Sequence, residues 1–108
     1  MKARYSGLVA GAALLFGTGQ AAADLELAKA SGCLACHAVD AKVVGPSWKD
    51  VNARYAGTAG AREILIEKIK LGGRGNWTDV TGGVPMPPYS PRVSDEDIAK
   101  LVDFVMNM

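Results

Sequence analysis

Histidine appears once in the 108-residue chain and cysteine twice, and neither sign of charge is in clear excess, with twelve Lys and Arg against eleven Asp and Glu. Each shortage closes off a class of function. Two cysteines cannot build the multi-bridge framework of a small disulfide-rich domain. These two, Cys33 and Cys36, are so close that a bridge between them would remove little chain entropy. A balance this even offers no basic surface for nucleic acid or for an anionic membrane. No apolar run approaches the roughly 20 residues a membrane-crossing helix needs; residues 8–16 come nearest, and they are interrupted by Gly11 and followed by Gly17, Thr18, Gly19 and Gln20. No segment alternates convincingly with period two, and nothing repeats. The chain is therefore read as a single all-α domain.

The N-terminus has a character of its own. Lys2 and Arg4 lead into the apolar run, and Ala21, Ala22 and Ala23 precede Asp24. A positive start, a short apolar stretch and small residues at a cut form the pattern of a secretory signal peptide, with cleavage expected after Ala23. Residues 1–23 are then the signal and residues 24–108 the domain, which is exported to the periplasm. Losing Lys2 and Arg4 leaves ten basic residues against eleven acidic ones. A domain of this size buries a modest share of its surface and often depends on a metal, a disulfide or a cofactor.

Residues 24–31 have a candidate cap in Asp24, good helix formers, and Gly32 as a stop. Residues 40–47 contain Gly45-Pro46 and no helical period, hence a loop. Residues 48–55 predict a short helix closed by Gly57. Over residues 61–71, Ala61, Ile64, Leu65, Lys68 and Ile69 recur at three and four, and Gly72-Gly73 ends the run. Residues 72–92 are rich in Gly and Pro and long enough to demand a functional reason. Ser94 opens the last helix, with Asp95, Glu96 and Asp97 suited to its N-terminal dipole. Ile98, Leu101, Val102 and Val105 then lay down an apolar stripe that Phe104 widens.

Cys33-Leu34-Ala35-Cys36-His37 is a C-x-x-C-H sequence, the attachment pattern of a c-type haem. Two thiols one helical turn apart can each add to a vinyl group on one porphyrin edge, and the adjoining imidazole is carried beneath the iron. Three alternatives stand against it. A thioredoxin-like thiol pair needs a βαβ context that the chain lacks. A structural zinc site closes with four ligands, more than these three crowded residues supply. The third is a chance occurrence within a core helix.

An iron held by His37 calls for a sixth ligand, and Met86 is the candidate. Met1 leaves with the signal, and Met106 and Met108 lie at the end of the last helix. Met86 sits in Val84-Pro85-Met86-Pro87-Pro88, where prolines restrict the backbone and lower the entropy lost on ligation. The competing reading is a methionine that fills a gap in the core. A soft, neutral thioether favours ferrous iron and raises the reduction potential.

These features together resemble a class I cytochrome c of the short bacterial kind that serves respiratory and denitrifying chains as a soluble carrier. The likeness runs from Gly32-Cys33 through Cys36-His37-Ala38-Val39-Asp40 and the stretch from Lys42-Val43-Val44-Gly45-Pro46-Ser47-Trp48 to Val51. It continues in Tyr55-Ala56-Gly57, Ile69-Lys70, Gly75-Asn76-Trp77, Pro85-Met86-Pro87-Pro88 and Phe104. The resemblance implies about four short helices around one covalent haem c, with the first and last helices crossing. It further implies His37 and Met86 as iron ligands, Pro46 giving its carbonyl to the free nitrogen of His37, Trp77 donating its indole N–H to a haem propionate, and Lys68 or Lys70 neutralising one. Trp48 is assigned no role. Two departures stand out: the stretch between Trp77 and Met86 is a few residues longer than in the short type, and Tyr89 follows Pro88 where a polar amide often bonds the ligand sulfur.

The expectation is thus a monomeric electron carrier, not an enzyme, with protein redox partners such as a cytochrome bc1-type donor and an oxidase or nitrite reductase acceptor. Leu34, Val44, Ile69 and either Val80 or Val84 are expected to bury the macrocycle. Seven basic residues (Lys42, Lys49, Arg54, Arg62, Lys68, Lys70 and Arg74) against three acidic ones in the same span suggest either a positive rim that steers a partner or an evenly charged, solvated surface. The rival reading is a haem enzyme or gas sensor with a displaceable Met86.

Overall fold

The structure, a computed structural model, describes residues 11–108, with side chains from Gly19 onward. Lys2, Arg4 and the first three residues of the apolar run on which the signal peptide reading rests, Leu8 to Ala10, lie outside the described residues. Among the described residues five α-helices follow one another: α1 (Gly11–Ala30), α2 (Trp48–Tyr55), α3 (Ala61–Leu71), α4 (Thr78–Thr81) and α5 (Asp95–Met106). A 3-10 turn, Cys33–Ala35, lies between α1 and α2. Among the described residues there is no β-strand, and none of the helices is long and apolar enough to cross a membrane.

Local chemistry accounts for the helix ends. Gly32, at φ 90°, takes the left-handed conformation that closes α1 and turns the chain into Cys33. The Ser47 hydroxyl accepts from the Asp50 N–H at 3.1 Å to cap α2, and the Ser94 hydroxyl accepts from the Asp97 N–H at 3.1 Å to cap α5. Two expectations need correction. The short helix at residues 24–31 is the last part of a longer one, since Ala21 to Ala23 continue it and alanine is the strongest helix former. The long loop after Gly72 contains one helical turn, α4, which Gly82 ends at φ 67°.

Helix α5 is the hub, packing against α1, α2 and α3. Its buried residues are Ile98, Leu101, Val102 and Val105, the stripe read from the sequence. Leu101 and Val105 join Ala28 of α1, Cys33, and Trp48 and Val51 of α2 in one core cluster. Ala28 has no exposed surface, so its small side chain sets how near α1 lies to that cluster. A second cluster gathers Tyr89, Val93 and Ile98, with Ile66, Ile69 and Met86 at its edge. Polar ties reinforce the packing: Asn52 Nδ2 donates to the Val105 carbonyl at 2.9 Å, and Arg62 reaches both Asp103 oxygens at 2.8 and 3.2 Å.

Candidate functional site

The two clusters do not close on each other. Between them lies an open cleft of about 350 Å³, mostly apolar, with Cys33, Cys36 and His37 on one wall and Met86 among its other lining residues. Pro46 and Trp77 line it too, so the six residues singled out in the sequence meet at one cavity.

The first wall is built by backbone economy. Both the Cys36 and His37 N–H groups donate to the Cys33 carbonyl, at 3.1 and 3.0 Å, which holds the three residues in a tight turn. The Cys36 carbonyl in turn accepts from Gly45 and Val44, at 2.8 and 3.2 Å, and draws the Gly45-Pro46 loop over His37. Cys33 is buried and Cys36 half-buried, and no disulfide joins them. Burial pushes the Cys33 thiol up, against a smaller opposing pull from the Arg92 guanidinium.

The imidazole is fixed from three directions. His37 Nδ1 lies 2.8 Å from the Pro46 carbonyl oxygen; a carbonyl only accepts, so Nδ1–H donates and Nε2 is left with its lone pair. Trp48 stacks on the ring at 5.8 Å between centroids and 20° between planes, and is itself met edge-on by Phe104 at 5.8 Å and 76°. Gly45 completes the seat, since a Cβ there would come within 2.7 Å of His37 Cε1. Sequence reasoning missed the roles of Trp48 and Gly45. Trp48 is eleven positions from His37, and nothing local signals a stack formed by the intervening loop.

Across the cleft, Met86 is held through its backbone. Its carbonyl accepts from the Gly73 N–H at 2.9 Å and its N–H donates to the Gly73 carbonyl at 3.0 Å, an isolated antiparallel bridge. Three residues on, the Tyr89 N–H donates to the Ile69 carbonyl at 3.0 Å. The segment is thereby tied to the C-terminal end of α3 on both sides of Pro87-Pro88. Tyr89 is buried at the back of this segment, and burial pushes its hydroxyl up.

The remaining expectations divide. Trp77 is half-buried, with the Arg54 guanidinium 4.3 Å from its ring centroid while Arg54 also donates to the Asn76 carbonyl at 3.0 Å. Lys68 lines the cleft and donates to the Gly72 carbonyl at 3.3 Å, whereas Lys70 does not line it and pairs with Asp95 at 3.4 Å. Val44, Ile69 and Val84 lie on the walls. Leu34 and Val80 do not: Leu34 sits in the 3-10 turn with its side chain exposed, and half-buried Val80 in α4 is not a lining residue although its neighbour Thr81 is.

Comparison with known proteins decides what such a cleft belongs to. The family profile described as Cytochrome c matches residues 22–108. The chain belongs to the cytochrome c family. Cytochrome c-551 of Allochromatium vinosum is 48% identical over 88 residues, covering 82% of this chain and 88% of that protein. Cytochrome c-552 of Nitrosomonas europaea is 44% identical over 108 residues, covering 100% of this chain and 99% of that one. The crystal structure of wild-type Nitrosomonas europaea cytochrome c552 superposes with a TM-score of 0.69 at 44% identity, over 77% of this chain and 96% of the other. The class 1 cytochrome MtoD of Sideroxydans lithotrophicus superposes at 0.67 with 32% identity, over 80% and 92%. The all-α fold is accordingly that of the class I cytochromes c.

Members of this family carry one covalently bound haem c, and the residues here fit it. Two thiols and an imidazole with a free Nε2 stand on one wall of an apolar cleft, a thioether-bearing residue lies on another, and Lys68, Arg74 and the Trp77 indole are also among the lining residues.

Proposed function

We propose that this cytochrome c is a monohaem electron carrier in which Cys33 and Cys36 hold the haem by thioether bonds and His37 and Met86 ligate its iron. The haem supplies a one-electron iron(III)/iron(II) couple. Every other requirement falls on the chain. Pro46, by accepting the Nδ1 proton of His37, fixes the ring's tautomer and direction and raises the basicity of Nε2. Trp48 and Gly45 hold the ring against rotation. Gly73 pins the Met86 backbone, so little entropy is lost when the side chain ligates. Trp77 and Lys68 are the residues we assign to the propionates.

The observation that carries this reading is the committed Nδ1 of His37, which leaves a single nitrogen for a metal on the wall it shares with both thiols. With both His37 and Met86 as ligands the iron would have no position left for a substrate, which favours a carrier over an enzyme. The neutral thioether of Met86 would favour the ferrous state. Apolar walls keep water from the iron, so little solvent reorganises when charge changes.

Residues 1–23 act as a cleaved export signal in this reading, and the domain of residues 24–108 works in the periplasm as a monomer. There it meets protein partners, such as a bc1-type donor and an oxidase or nitrite reductase acceptor. Optical spectra of the oxidised and reduced holoprotein test the ligand set. We expect a low-spin c-type spectrum whose far-red sulfur-to-iron band is absent from Met86→Ala. A band that survives this substitution means another residue is the ligand.

A further inference from the structure

We infer that Gly72 is a positioning residue for the sixth iron ligand: lacking a side chain, it lets the end of α3 act as a backbone clamp that sets where Met86 sits. The inference rests on the reading of Met86 as that ligand. Gly72 is the residue after the last turn of α3, with φ 72° and ψ −158°, a conformation essentially confined to glycine. A Cβ built there collides with the Met86 carbonyl oxygen, and would lie 2.8 Å from the Pro88 nitrogen and 2.9 Å from the Pro87 carbonyl carbon. All three are backbone atoms, so no side-chain rotation relieves the contact.

The same short stretch supplies the clamp's other parts. Gly72 N–H closes α3 on the Lys68 carbonyl at 2.7 Å, Lys68 Nζ returns to the Gly72 carbonyl at 3.3 Å, and Gly73 makes both hydrogen bonds to Met86. Helix α3 thus holds the methionine segment by direct backbone contact, with no side chain interposed. A methyl group at residue 72 forces the two backbones apart, and Met86 moves with its own carbonyl. Ligation is sensitive to such a shift because a thioether is a weak ligand that must be presented at bonding distance.

Gly72→Ala, Gly60→Ala and Met86→Ala are compared in the haem-loaded protein. Gly60 stands at the other end of α3 with φ 74°, but a Cβ there meets nothing within 4 Å, so Gly60→Ala reports the effect of backbone strain on α3 without a collision. We expect Gly72→Ala to lose the sulfur-to-iron band, to bind carbon monoxide when reduced and to show a lowered reduction potential. Gly60→Ala should keep the band and exclude carbon monoxide. Retention of the band and of carbon monoxide exclusion in Gly72→Ala overturns the clamp, as does an equal loss in Gly60→Ala. Survival of the band in Met86→Ala counts against the ligand reading instead, whatever Gly72→Ala does. If Gly72→Ala does not accumulate as folded holoprotein, the double variant with Met86→Ala decides. Freed from the iron, residues 86–88 can move off the new methyl, so the double variant should be recovered folded; its failure to fold while Met86→Ala alone folds overturns the clamp.

Discussion

At the residue scale, the imidazole of His37 is the best-constrained group in the protein, and its constraints come from three backbone or ring contacts. The Pro46 carbonyl fixes the proton, Trp48 covers one face, and Gly45 leaves no space beside Cε1. Gly45→Ala places a methyl 2.7 Å from that carbon, so either the loop or the ring must shift. Overpacking of this kind costs about 1–3 kcal/mol. Denaturant unfolding should show that loss, and a raised reduction potential should accompany it, because a displaced loop weakens the Pro46 bond, leaves Nε2 a poorer donor and so disfavours ferric iron. An unchanged potential with reduced stability would limit Gly45 to packing. That the thiols, the imidazole and Met86 belong to one cleft was legible in the sequence, because the C-x-x-C-H spacing is short and Met86 stands in a proline-flanked segment. Trp48, Gly45 and Gly72 were not, because each acts through a partner distant along the chain and none bears a reactive group.

At the element scale, α2 occupies the residues read as a short helix, α3 those its periodicity marks, and α5 buries the four positions of its stripe. Serine caps precede α2 and α5, and glycines end α3, so strong local signals coincide with tertiary packing. Where signals are weak the reading failed: α4 is a single turn of Thr, Asp and Val residues, too short to show any period. The alanines before Asp24 have no apolar pattern but high intrinsic propensity, and they lengthen α1. The Ser94 cap offers a clean test, since its hydroxyl is exposed and bonds only the Asp97 N–H among the described contacts. Ser94→Ala should cost about 1 kcal/mol, which for a domain of this size lowers the melting temperature by about 4–8 °C. The sulfur-to-iron band at room temperature should stay as in the parent, since α5 remains packed on the core.

At the scale of the whole molecule, the positive rim expected from the sequence is thinner than a residue count suggests. Of its seven basic residues, Lys49 pairs with Asp40 at 2.7 Å, Arg62 with Asp103 and Lys70 with Asp95. Asp103 holds the Arg62 guanidinium, already a strong base, further up. Of the other four, Lys68 and Arg74 line the cleft and Arg54 lies over the Trp77 ring on its wall, so three of the remaining charges are on the cleft side, while Lys42 is not a lining residue. A partner approaching that side is steered over a distance set by salt. The Debye length shrinks from about 30 Å at 0.01 M to about 10 Å at 0.1 M, and the bimolecular transfer rate with an acidic partner should fall several-fold over that range, less so in Arg74→Ala. A rate flat across ionic strength would remove steering from the picture and leave the cleft chemistry untouched.

Nuclear magnetic resonance of the reduced, methionine-methyl-labelled holoprotein reaches the iron site most directly. A methyl group seated over the face of a porphyrin is moved far upfield by the ring current, whereas Met106 and Met108, at the end of α5, are not placed to feel it. We expect one methyl resonance far upfield of all others, lost in Met86→Ala and in no other methionine variant. A spectrum with no such resonance, or one whose shifted methyl survives Met86→Ala, contradicts a haem iron capped by His37 and Met86.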